Sequence, residues 1–363
     1  MKEEFSTIDY VILTYMLQSG IALFVLPRVV AENFSYNGWV VIPIISGLIG
    51  MQVILIGHTC KKMKRTSPFE VMNAALPKVL RYPIYLTLVV VWSVLGCGVG
   101  ANYFQIVQMI SFPNTPQYIF KAIIACVSFY IIVKGFANLV KGTVIFFMLT
   151  IWTLFTTFFV LQEFEFTRLT PFVLAGELNL LDGIFEILKS FLGFELFILF
   201  STYIHKDINI TKVIIYGHLF TTFVYTFVTF VAFGYFSLLQ LKETQYPVIV
   251  MLDYVKVPFL ERIDNLIFSV FFMKIIITVS AYYWSAKEAM KHIFQNSNEV
   301  FLTFIIVFGS FLLTFFLQTS REINAMIDNF ALFAFIISIL FPLLLLLLMK
   351  LNQSKSNEVR NHG

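Results

Sequence analysis

Charge is scarce in this sequence. Lys, Arg, Asp and Glu together make up 13% of its 363 residues, about half the ~25% usual in soluble domains. With 59% hydrophobic residues, a water-soluble fold of this length could not cover its surface. Cysteine is scarce too. Cys60, Cys97 and Cys126 are odd in number and far apart, with no CxxC or His–Cys spacing, which speaks against a disulfide framework or a metal site. Cys97 and Cys126 fall in apolar runs, where a buried thiol acts as a small hydrophobe. There is no GxSxG, no HExxH and no phosphate-binding glycine loop, and no connection is long enough for a nucleotide domain. Enzyme chemistry, a cofactor and an ATP-driven pump therefore have no support. Nucleic-acid binding has none either, because no basic cluster is paired with an aromatic platform.

Long apolar runs are what the chain has. A helix needs roughly 20 apolar residues to cross hydrocarbon. On that ruler spans fall near 8–30, 38–59, 83–110, 117–134, 140–161, 183–204, 212–238, 263–286, 300–317 and 329–350. The runs are too long for barrel strands, so the expectation is an all-α integral membrane protein of ten transmembrane helices. It reads as one permease-like domain over 1–363, with a retained first span and a short tail at 351–363. Of the 25 Lys and Arg, 16 fall in connections on one side and 7 on the other, leaving Lys189 and Lys274 inside spans. The positive-inside rule then places both termini in the cytoplasm. The outer connections at 162–182 and 239–261 mix apolar and charged residues, which suits either short surface helices or solvated loops.

Two spans are interrupted at matching places. The first reads YMLQSGIALFVLP, with Gly20 at its midpoint and Pro27 near its outer end; the sixth reads SFLGFELFILF, centred on Gly193. Five spans separate them, so they cross in opposite directions. That is the pointer to a 5+5 inverted repeat, about 8–161 and 183–350, with broken helices 1 and 6 and a polar ligand site between the breaks. Helix packing alone also uses glycine in membranes.

The polar residues inside the spans carry the rest. Glu195, near the centre of the sixth span, is either a proton-titrating or ligand-orienting group or a neutral carboxyl bonded to a neighbouring helix. Lys274, Thr278 and Tyr282 are spaced four apart and share one helix face. Glu195 and Glu186 are the nearest candidate partners for Lys274, which reads as a coupling cation or half of a structural ion pair. Lys189 can snorkel to the outer interface. Gly96 and Gly100 give a GxxxG spacing suited to a close crossing, from which Val99 and Tyr103 could reach a central cavity. Thr222, Thr226 and Thr229 form a hydroxyl stripe expected to bond to backbone carbonyls.

Three stretches, LTPFVLAGELNLLDG (169–183), SFLGFELFILFSTYI (190–204) and YPVIVMLDYVKVPFLERID (246–264), together resemble the B subunits of spore nutrient-germinant receptors. These are permease-like members of the amino acid–polyamine–organocation superfamily. The Glu261, Arg262, Asp264 motif after Pro-Phe is the most specific piece, and the Phe-Glu of the sixth span comes next. The resemblance implies a LeuT-type fold in the spore inner membrane, sensing an amino acid or related germinant together with A- and C-type subunits. It implies a pocket drawn from Gly20, Val99, Leu192, Gly193, Thr278 and Tyr282, four of which the residues had already indicated. The first-span break, Gln18-Ser19-Gly20-Ile21-Ala22, departs from the Gly-x-Gly arrangement. Two other readings stay open: a proton-coupled amino acid or polyamine transporter using Glu195 and Lys274, and a channel or scaffold without a pocket.

Overall fold

A computed structural model describes residues 5–171, 176, 178–253, 263–317 and 319–361, which are all-helical with no strand among them. Helix α1 (Thr7–Gln18) opens on a capping box between Ser6 and Asp9. It stops at Ser19-Gly20, a pair of weak helix formers, and the chain resumes as α2 (Ala22–Phe34) after a bend of 55°. There follow α3 (Val41–Met63), α4 (Pro68–Ala75), α5 (Lys78–Ile110), α6 (Gln117–Val133), α7 (Phe136–Thr150) and α8 (Trp152–Val160).

A second break comes next. Helix α9 (Leu180–Ser190) leads through Phe191–Gly193 and a 3-10 turn at Phe194–Leu196 into α10 (Phe197–Phe200). Gly193 has φ +120, and a Cβ there would lie 2.9 Å from the Leu17 carbonyl oxygen. Both the backbone conformation and the close approach require glycine. The chain then forms α11 (Ile210–Tyr235), α12 (Leu238–Glu243), α13 (Pro247–Asp253), α14 (Ile263–Ile293), α15 (Glu299–Leu313) and α16 (Ser320–Asn361).

Six helices are long and apolar enough to cross a membrane, and the bent α1–α2 pair makes a seventh candidate. The apolar helices α6 and α15 are shorter, at 17 and 15 residues. Outward-facing Phe155, Phe158, Phe223, Leu340 and Leu347 form the apolar exterior that lipid requires. Cys126 is exposed with them, so it does not act as the buried hydrophobe expected; Cys60 and Cys97 are buried.

Small residues set the closest crossings. A Cβ on Gly96 of α5 would come within 2.8 Å of the Tyr283 ring of α14, the close approach expected there, whereas one on Gly100 would meet only ordinary contacts, Ile124 at 3.4 Å and Val279 at 3.6 Å. Gly217 of α11 meets Thr14 of α1 in the same way. Both outer connections contain short helical segments, and α13 is packed against α2 and α11 instead of lying free. Contacts between connections and between span ends agree with the charge-based grouping. Arg65 donates to the His205 carbonyl, Asn37 to the Leu169 carbonyl at 2.7 Å, and Lys121 to that of Thr314 at 3.0 Å.

Candidate functional site

Where a helix stops inside the bilayer, its last carbonyls and first N–H groups need partners that water cannot supply. Neighbouring helices provide them. The Met16 carbonyl accepts from the Thr278 hydroxyl at 3.2 Å, and the Gln18 carbonyl from the Tyr225 hydroxyl at 2.7 Å. The same Tyr225 oxygen lies 3.0 Å from the Ser190 carbonyl, at the end of α9. At the second break the Gly193 N–H donates to Glu195 Oε2 at 2.7 Å, and Tyr282 donates to Glu195 Oε1 at 3.0 Å. Glu195 thus caps the break it follows.

A cavity of about 550 Å³ opens between the two breaks. Its deep wall includes Leu17, Gly20, Val99, Leu192, Thr278 and Tyr282. Gly193 is not part of the lining; it sits behind Leu192, pressed against α1. The mouth is charged: Arg28 pairs with Glu32 at 2.7 Å, and Lys189 bridges Glu186 at 2.7 Å and Asp328 at 2.5 Å. Tyr246 lies at the same mouth, in the connection outside the spans, and burial holds its hydroxyl above the ordinary phenol range, so it stays a donor.

Several expectations need correction. Lys274 meets neither Glu195 nor Glu186; its ammonium lies 3.2 Å from the Tyr15 hydroxyl and over the Tyr15 and Phe271 rings. Burial among rings leaves the cation–π contact as its electrostatic support. Lys189 does not snorkel freely, because two carboxylates hold it. Tyr103 misses the cavity and donates to the Phe268 carbonyl, stacked on Phe272. In the threonine stripe Thr222 bonds to the His218 carbonyl, while the buried Thr226 and Thr229 hydroxyls have no partner among the described residues. Of the outer-loop motif, Glu261 and Arg262 lie outside the described residues, and Asp264 falls in the first turn of α14.

Sequence reasoning missed the residues that join the breaks. Gln18, at the end of α1, donates its side-chain amide to the Phe191 carbonyl at 2.9 Å and lies 3.2 Å from His218 Nδ1. His218 and Tyr225 are seven apart on α11, which puts them on one face. That spacing was readable; the face they meet was not.

Fold and cavity together define a transporter-like membrane protein. The chain superposes on the crystal structure of MhsT in complex with L-phenylalanine with a TM-score of 0.67 at 11% identity, covering 96% of this chain and 89% of that one. A manganese transporter of Eremococcus coleocola gives 0.62 at 11% identity, covering 92% and 77%. At such identity the likeness concerns the fold alone. The chain belongs to the spore germination protein family, which it matches over residues 4–323. It is 30% identical over 243 residues to the spore germination protein GerQB of Bacillus cereus, a match spanning 66% of each chain. It is 22% identical over 255 residues to the spore germination protein B2 of Bacillus subtilis strain 168, covering 68% of this chain and 67% of that one.

Proposed function

We propose that this protein is the germinant-sensing, permease-like subunit of a spore germination receptor. It binds a small molecule, an amino acid by preference, between its two broken spans, and it signals with A- and C-type partner subunits in the spore inner membrane. In this reading the chain crosses ten times in two inverted halves of five, with both termini cytoplasmic. The broken spans are the first and sixth crossings. Gly20, Val99, Leu192, Thr278 and Tyr282 contact the ligand, and Gly193 shapes the wall behind Leu192.

The observation that carries the reading is the cavity between the breaks, deep enough to meet Thr278 and Tyr282 and apolar along Leu17, Val99 and Leu192. A mostly apolar pocket with a few fixed polar groups is what a small ligand needs. Family membership supplies the germination role. The test is a filled pocket. Spores carrying Val99→Trp, with protein abundance matched by immunoblot, should need at least tenfold more nutrient germinant or fail to respond. A normal response would sink the reading.

One feature favours proton-coupled transport as a second reading. Lys274 and Glu195 are 2% and 3% exposed, and neither is neutralised by an opposite charge among the described residues. Buried ionisable groups inside membranes commonly serve proton relays. Labelled amino acid uptake into liposomes containing this protein alone, abolished by Glu195→Gln, would establish it.

A further inference from the structure

A second concavity, of about 500 Å³, lies where the end of α3 meets the connection between α10 and α11, and it shares no lining residue with the cavity between the breaks. Four cations line it: Lys61 in the last turn of α3, Lys64 and Arg65 just beyond, and Lys206 from the connection. Lys61, Lys64 and Lys206 form no ion pair among the described residues. The one carboxylate in the lining, Asp207, is exposed and lies 3.2 Å from His205 Nδ1. The positive-inside rule accounts for the sign of these residues but not for their convergence. Lys62, next in the chain, stays outside the lining, whereas Lys206, distant in sequence, is brought in. Lys64 and Arg65 have φ +48 and +70, a conformation in which helix ends usually place glycine or asparagine. Arg65 donates to the His205 carbonyl and so ties the end of α3 to the connection that carries Lys206. Asn209, Ile210 and Thr211, the cap and first turn of α11, also line the concavity, and the positive end of that helix adds to the same field.

The surroundings indicate which anion fits. On α3 the exposed Met51 and Ile54 begin a stripe that runs at helical spacing through His58 to Lys61. On α11 the exposed Phe223, Leu219 and Tyr216 lead in the same way to Lys212. Two packed helices thus carry lipid-facing surface up to a cationic rim. We propose that this concavity binds the phosphodiester headgroup of an anionic phospholipid, with Lys61, Lys64, Arg65 and Lys206 supplying the charge and the apolar stripes the wall for its acyl chains. Basic pockets between membrane helices recognise such headgroups.

The test uses the full chain purified in a neutral detergent, with native mass spectrometry to count bound lipids. The first phosphatidylglycerol should bind the wild type at least about tenfold tighter than the first phosphatidylcholine, a comparison that needs no variant to fold. Lys61→Gln, Lys64→Gln and Lys206→Gln together should bring that preference to within about twofold. Lys62→Gln, Lys78→Gln and Lys134→Gln, made at exposed lysines of the same charge group outside the lining, should leave it unchanged. Lys64→Gly suits φ +48, so the melting temperature should hold or rise while the preference falls about fivefold. Equal wild-type affinity for the two lipids, or a preference cut as deeply by the control triple, overturns the assignment. So does binding of radiolabelled inorganic phosphate to the wild type in phosphatidylcholine nanodiscs without any lipid preference, which gives the concavity to free phosphate.

Discussion

At the scale of single residues, the site depends on groups whose surroundings admit no substitute. Gly193→Ala forces a side chain into φ +120 and against the Leu17 carbonyl. Strain of that kind costs roughly 1–3 kcal/mol, so the melting temperature of the purified protein should fall by several degrees. Tyr282→Phe leaves Glu195 Oε1 buried without its donor, a loss of roughly 1–3 kcal/mol. If Tyr282 also meets the ligand, germinant demand should rise further than the same loss of stability placed elsewhere would explain, for instance by Tyr103→Phe. Equal shifts from both variants would show Tyr282 to be structural only. The glycines and the Lys274, Thr278, Tyr282 face were readable because each follows from a local rule, helix-breaking or a period of four. The partners were not. Lys274 meets Tyr15 and Gln18 meets His218 through tertiary packing between distant spans, and no spacing in one chain encodes that meeting.

At the scale of elements, helices that stop short are held by helices that do not. Helix α11 binds both breaks through His218 and Tyr225, and α14 reaches the first through Thr278 and the second through Tyr282. The two helix breaks were legible as Gly-interrupted apolar runs. That continuous helices would serve as their scaffold was not, because hydrophobicity looks alike on a supporting helix and a lipid-facing one. Across the mouth, Lys189 of α9 reaches Asp328 of α16. The pair is partly exposed, at 20% and 41%, so water screens it and its worth is at most about 1 kcal/mol. Asp328→Asn should therefore speed the reaction of a water-soluble thiol reagent with Val99→Cys by no more than about fivefold. No change at all would mean the pair does not hold the mouth.

At the scale of the whole molecule, charge distribution and tertiary contacts tell one story. The connections joined by Arg65 and Asn37, and the span ends joined by Lys121, are pairs that the Lys and Arg count had placed on a common side. A protease-cleavable tag on the C-terminus should be protected in intact protoplasts and cut only after lysis. Cleavage in intact cells would invert the assignment. Which connections lie together was legible because membrane insertion reads Lys and Arg along the chain. The cavity was not, since its volume depends on how far Leu17, Val99 and Leu192 stand apart in space.

Tyr225 has one proton and two claimants, the carbonyls that close α1 and α9. It can serve only one at a time, and when it turns to Ser190 the Gln18 carbonyl still has the Gly20 N–H at 3.0 Å. Rotating a single phenolic hydroxyl is then enough to move one bond from the end of α1 to the end of α9, with the bond total unchanged.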